Sequence, residues 1–137
     1  ETYQTSPKRD ILLEKINYIT ESRVAHADYF DKELRSISQI VIPERDTDIY
    51  QVYHIYSICC QRRNELQNYL IKNGVDAKVH YPTPMHLQPA ANYLGHKKGD
   101  FPITENIADS TISLPVHEFI SRDQQNHVIK LIKDFYD

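Results

Sequence analysis

From Asp10 onward, apolar or small residues recur at Leu12, Ile16, Ile19, Ala27, Phe30, Leu34 and Ile37, in steps of three and four interrupted once at Arg23. That period marks one face of an amphipathic helix, so a single long helix is expected, with Asp10 as its N-cap. Over roughly 28 residues it would run about 42 Å, longer than the about 37 Å across a compact domain of this size. Only a break near Glu21-Ser22 removes the overshoot. An overshooting helix suits a connector to a neighbouring domain. Residues 1–9 are polar and show no apolar period, so they read as a lead-in.

A different pattern begins at Val52. Val52 to Cys60 is rich in β-branched and aromatic residues and apolar on both alternating faces, as expected of a central strand with one cover from its own domain and a second from another. Arg62 to Asn73 reads as a helix packing Leu66, Tyr69 and Leu70, closed by Gly74. Val75 to Tyr81 alternates, with Val75, Ala77, Val79 and Tyr81 on one face and Asp76, Lys78 and His80 on the other. Prolines at 82, 84 and 89 stiffen the next loop. Short helices follow at Ala90 to Leu94 and Thr104 to Ser110, the latter packing Ile107 and Ala108, then a strand at Ile112 to Leu114. Ser121-Arg-Asp-Gln124 is a capping box for a last helix that packs Val128, Ile129, Ile132 and Phe135. The fold class is α+β: a small, mostly antiparallel sheet backed by helices and preceded by a long interdomain-type helix. The division reads 1–9 lead-in, 10–40 linking helix, 41–137 small domain.

Composition narrows the function. At 137 residues, 40% hydrophobic and 26% charged, the chain suits one domain or a piece of one. A net charge of −3 leaves no basic excess for generic nucleic-acid or anionic-membrane binding. No apolar stretch is long enough to span a bilayer and none resembles a signal segment, so the cytoplasm is the expected address. Three glycines, Gly74, Gly95 and Gly99, build no phosphate-cradling loop. Cys59 and Cys60 are adjacent, a poor geometry for a disulfide, and read as small buried strand residues. Ten tyrosines without tryptophan fit either an interface or an amphipathic sheet.

The densest polar cluster is His80-Tyr81 with His86 on the stiffened loop, and His96 and His117 beyond it. Such a group either positions a polar ligand and moves protons or is a set of ordinary hydrogen-bonded histidines. No Cys or carboxylate completes a metal-ligand spacing there, so no metal is expected. Lys97-Lys98 reads as a solvated turn. Glu105 stands out among the carboxylates for its neighbours.

Several strings occur in a familiar order: Val52-Tyr-His-Ile-Tyr56, Arg62-Arg-Asn-Glu-Leu66, Gly74-Val75, His80-Tyr-Pro-Thr-Pro-Met-His86-Leu-Gln-Pro89, Gly99-Asp-Phe-Pro102 with Glu105, Ser113-Leu-Pro-Val-His117, and the final helix. Together they resemble the C-terminal domain of the DegT/StrS-type sugar aminotransferases, over about two-thirds of the chain. The resemblance implies a fold-type I, pyridoxal-phosphate-dependent enzyme that moves an amino group from glutamate to a keto group of a nucleotide-linked deoxysugar, in amino-sugar or surface-polysaccharide biosynthesis. It also implies that the cofactor lysine belongs to a missing N-terminal domain, that no cofactor binds this chain alone, and that the complete enzyme is a homodimer. The resemblance assigns substrate-facing roles to His80 and Tyr81, a loop-supporting role to His86, and places near the same cleft to Ser113 and His117. No catalytic residue is expected here. A free-standing, inactive binding module derived from that domain is the alternative.

Overall fold

A computed structural model describes residues 12–137. Asp10, the expected N-cap, and the lead-in 1–9 lie outside the described residues. The first long helix, α1 (Ile16–Leu34), runs unbroken through Glu21-Ser22 and buries Ala27, Phe30 and Leu34. It is shorter than its apolar period suggests. A turn at Lys15 interrupts it on one side, and beyond Leu34 the backbone turns through the Ile37 N–H bond to the Leu34 carbonyl, so Ile40 enters the sheet. At 19 residues it spans about 28 Å, within the width of the domain, so the overshoot does not occur among the described residues.

Three antiparallel strands form one sheet in the order β1 (Ile40–Val41), β2 (Tyr56–Cys60), β3 (Thr111–Leu114). The two-residue β1 carries too little alternation to be visible in the sequence. β2 is central, as expected, but starts at Tyr56 rather than Val52: Tyr53 takes a left-handed backbone (φ 50°) and packs its ring on Tyr56 at 6.2 Å. Tyr56, Ile58 and Cys60 face the core, whereas Ser57 and Cys59 are half-buried, so this chain covers the second face in part. Cys60 is buried and its thiol is pushed up to about 11 by that burial.

Helix α2 (Arg63–Lys72) packs Leu66 and Leu70 into the core and ends before Gly74, whose φ of 82° suits glycine. Val75 to Tyr81 is not a strand. A single bridge, Lys78 to Ser113, ties it to β3, and Val75 and Ala77 are buried while Tyr81 is 72% exposed, not on the apolar face. The Pro89–Leu94 segment is a short 3-10 helix ending at Gly95, next to the expected position. Helix α3 (Pro102–Ser110) buries Ala108 and Glu105 but leaves Ile107 exposed, because its inward face is the one toward β2 and the Gly99 turn. Arg63, itself buried, donates to the Ala108 and Asp109 carbonyls (3.1 and 3.2 Å), closing α3 with a cation at its negative end.

Helix α4 (Arg122–Tyr136) begins with the expected capping box: Ser121 Oγ accepts the Gln124 N–H and Gln124 Oε1 accepts the Ser121 N–H. It buries Val128, Ile129 and Ile132, and also Leu131, while Phe135 is only half-buried against Tyr69. One core results, filled from α1, α2, α4 and the sheet; each fully buried side chain such as Phe30, Leu66 or Ile58 contributes about 1.5–3 kcal/mol.

Candidate functional site

Strand β2 sorts its side chains by parity. Ser57 lies directly opposite Ser113 on β3, and their hydroxyls are 2.8 Å apart. Lys78 exchanges both backbone hydrogen bonds with Ser113 (3.1 and 2.7 Å), which fixes the strand-like segment two residues before His80. His80 Nδ1 therefore reaches Ser113 Oγ at 3.0 Å. The result is a chain of polar atoms, Ser57–Ser113–His80, in which Ser113 is buried and the two ends are half-buried.

His80 and Ser113 line an open groove of about 230 Å³ with Arg23, His54, Lys78 and His117. Three of the five residues singled out from the sequence thus meet in one groove. Arg23 was missed as a site residue. Its signal was the single interruption in the apolar period of the first helix. Arg23 donates to Glu118 from Nε and Nη2 (3.2 and 3.0 Å), and from Nη1 to the His54 carbonyl. The Glu118 carboxyl is held below the usual carboxylate range, chiefly by its own backbone N–H, against burial, and with Arg23 adding to it. Lys78 pairs with Asp76 at 3.0 Å. Both cations are thus balanced by carboxylates, and the rest of the groove is three imidazoles, the Ser113 hydroxyl and the apolar Ile55, Leu114, Pro115 and Val116, a surface suited to a ligand with both hydroxyl and apolar edges rather than a bare anion.

Tyr81 and His86 lie elsewhere. The Tyr81 ring stands edge-on to His80 (5.7 Å between centroids) and points to solvent. His86 Nε2 contacts Glu105 Oε1 at 3.0 Å, and Glu105 accepts the N–H of Gly99 at 2.8 Å and of Phe101 at 3.4 Å. Gly99, with φ 97°, lets the chain turn so that its N–H aims at that carboxylate. Burial works against the charged form of Glu105, but the Gly99 N–H, His86 and the Phe101 N–H together hold it below its ordinary value. His86 also packs on Phe101 (4.8 Å), so this constellation clamps the proline loop to the start of α3. Lys97 and Lys98 are exposed, as expected of a solvated turn. Among the described residues no cluster of three His, Cys, Asp or Glu side chains is arranged to hold a metal.

On the core face of β2, Tyr56 donates to Asp31 at 2.7 Å, and Arg45 forks onto both oxygens of the same carboxylate (2.9 and 3.0 Å). Burial, then the bond to Asp31, pushes the Tyr56 hydroxyl far above its ordinary value. Between α1 and α4, His26 Nδ1 meets Gln125 Oε1 at 3.2 Å, and its Nε2 is buried without a partner. Burial lowers the His26 ring below 6.5, with Arg122 and His117 adding to the shift and the Gln125 bond opposing it.

A model of the DegT/DnrJ/EryC1/StrS aminotransferase family matches residues 11–133. The chain is 36% identical over 111 residues to the erythromycin biosynthesis sensory transduction protein EryC1 of Saccharopolyspora erythraea, covering 81% of this chain and 30% of that protein. It is 31% identical over 102 residues to a dTDP-3-amino-3,4,6-trideoxy-alpha-D-glucose transaminase of Streptomyces venezuelae, covering 74% and 27%. The X-ray structure of S. venezuelae DesV in complex with a ketimine intermediate superposes with a TM-score of 0.89 at 29% identity, over 93% of this chain and 34% of that one. The chain spans about a third of the length of these relatives.

Proposed function

Because the chain belongs to the DegT/DnrJ/EryC1/StrS aminotransferase family, we propose that it is the small C-terminal domain of an enzyme that transfers an amino group from glutamate to a keto group of a nucleotide-linked deoxysugar, in amino-sugar or surface-polysaccharide biosynthesis. The observation that carries the reading is the groove: three imidazoles and the Ser113 hydroxyl beside apolar side chains, with the charges of Arg23 and Lys78 balanced. His80 binds and orients the nucleotide-sugar or the glutamate donor, with Tyr81 beside it; Ser113 and His117 complete the wall. His86 acts at a distance, keeping the proline loop in place through Glu105.

The family cofactor, pyridoxal phosphate, needs a lysine amine in a desolvated site and an acid to pair its ring nitrogen. Among the described residues no lysine is buried; Lys78, Lys130 and Lys133 each pair with a carboxylate near the surface. The described residues do not fit that group, so no step is routed through it, and the proposal assigns it to an N-terminal domain. Support for such a neighbour comes from apolar side chains left uncovered: Leu12, Leu13, Ile16 and Tyr18 along the first helical segments, and Ile49 and Tyr50 ahead of β2 are all more than half exposed. The residues of this chain then bind, orient and exclude water, in a homodimeric complete enzyme. No described helix is long and apolar enough to cross a membrane; a cytoplasmic address belongs to the same proposal.

The test is steady-state kinetics of the complete enzyme carrying His80→Ala. Loss of one neutral hydrogen bond is expected to raise the KM for the keto-sugar nucleotide or for glutamate by roughly two- to tenfold. Unchanged constants for both substrates would remove His80 from the site.

A further inference from the structure

We infer that Ser57 is a positioning residue for His80: by giving Ser113 a second acceptor, it leaves His80 able to present either a donor or a lone pair at Nε2. The inference rests on the groove being the substrate site, but its core is a statement about protons that can be tested separately. Ser113 Oγ has two hydrogen-bonding neighbours among the described residues, Ser57 Oγ at 2.8 Å and His80 Nδ1 at 3.0 Å. Ser113 is 5% exposed, so its single hydroxyl proton goes to one or the other.

Two arrangements satisfy every atom. In one, Ser57 donates to Ser113, Ser113 donates to His80 Nδ1, and the ring carries its proton on Nε2. In the other, His80 Nδ1–H donates to Ser113, Ser113 donates to Ser57, and half-buried Ser57 gives its proton to water. Each keeps two internal hydrogen bonds, so neither is favoured by count. The ring is held the same way in both, because Nδ1 is engaged throughout. Only the second ring nitrogen of this groove-lining histidine changes character: His80 Nε2 makes no hydrogen bond to the described residues, and is a donor in the first arrangement and an acceptor in the second.

That freedom matches a site visited by two different ligands in turn. A glutamate carboxylate offers only acceptors and selects the Nε2–H form, whereas a sugar hydroxyl is served by either form. Removing the Ser57 hydroxyl removes the second arrangement. Ser113 then has His80 Nδ1 as its one remaining acceptor, and the ring is locked as the Nε2–H tautomer.

The experiment is ¹⁵N spectroscopy of histidine-labelled full chain at about pH 8.5, where imidazoles are neutral. The wild type is expected to show His80 nitrogen shifts averaged between the two tautomers. Ser57→Ala is expected to move them to the pure Nε2–H pattern, and Ser57→Thr, which keeps the hydroxyl and suits a strand, to restore the average. A wild-type ring already in one tautomer, or a Ser57→Ala ring that moves toward Nδ1–H, would overturn the inference. In the complete enzyme, Ser57→Ala holds the form that a carboxylate selects and that a sugar hydroxyl also accepts, so the glutamate KM should fall by about twofold, as when a half-populated binding form becomes the sole one, and the sugar KM should move less. A tautomer that moves while the glutamate KM stays fixed counts against the groove as substrate site and leaves the role of Ser57 standing.

Discussion

Tyr56 and Ser57 are consecutive residues of one strand that serve opposite faces of the sheet. Tyr56 is fully buried, stacks on Phe30 at 5.3 Å and donates to a carboxylate that is also forked by Arg45. Every strong partner in that network is charged or locked, and the network holds α1, the segment carrying Arg45 and β2 together. Ser57 instead joins a neutral chain that ends at an open groove. A charged, closed network has one arrangement; a neutral, open one has two. The difference separates a device for stability from a device for binding, one residue apart.

The sharpest way to break this contrast is on the core side. Asp31→Ala leaves Arg45 without its carboxylate and Tyr56 without its acceptor, and about 3–5 kcal/mol of stability should be lost in chemical denaturation. Tyr56→Phe deletes one hydrogen bond to a charged acceptor and should cost about 1.5–3 kcal/mol by the same measurement. If either substitution instead shifted the His80 tautomer with stability intact, the two faces would not be independent.

Acid provides an intermediate test. The folded His26 ring titrates below its ordinary 6.5, so the unfolded chain takes up that proton first. Its contribution to stability is complete above about 6.5 and drains as the pH falls until the folded ring is also protonated. Glu105 is likewise lowered, from 4.5; its contribution is present above that value and is lost only at lower pH, as the folded carboxyl protonates. Melting temperature against pH should therefore fall in two stages. His26→Asn should flatten the upper stage alone and Glu105→Gln the lower. A single fall below about pH 4.5 in the wild type would contradict the role given to His26.

The smallest expected effect is Ser57→Ala, within about 1 kcal/mol of wild type in stability, since a half-buried hydroxyl is removed without leaving a charge unpaired. A loss above about 3 kcal/mol would make Ser57 a structural residue like its neighbour.

Much of this was legible in the sequence because it rests on local chemistry. The capping box at Ser121, the glycine stop at Gly74, the central strand ending at Cys60 and the α+β class all follow from short-range pattern. What was not legible depends on tertiary contacts. Strand β1 is two residues long and exists because β2 is there to pair with it. The alternation of Val75 to Tyr81 predicts a strand, but only Lys78 finds a partner, and Tyr81 turns outward. At the site, His80 and Ser113 were visible as residues, while their contact depends on the register of β2 with β3. Ser57, one serine in an apolar run, carried no signal of its own, and Arg23 carried only the gap it makes in a helical stripe.

The central claim is that the groove under His80 receives the substrate, and it is tested most directly by following the seven histidines of the ¹⁵N-labelled full chain during titration with a nucleotide-linked amino sugar. His54, His80 and His117 line the groove and should shift with a common saturation curve, while His26, His86, His96 and His127 stay in place. Saturable shifts confined to the second group, or none at any histidine up to millimolar sugar, would contradict the account.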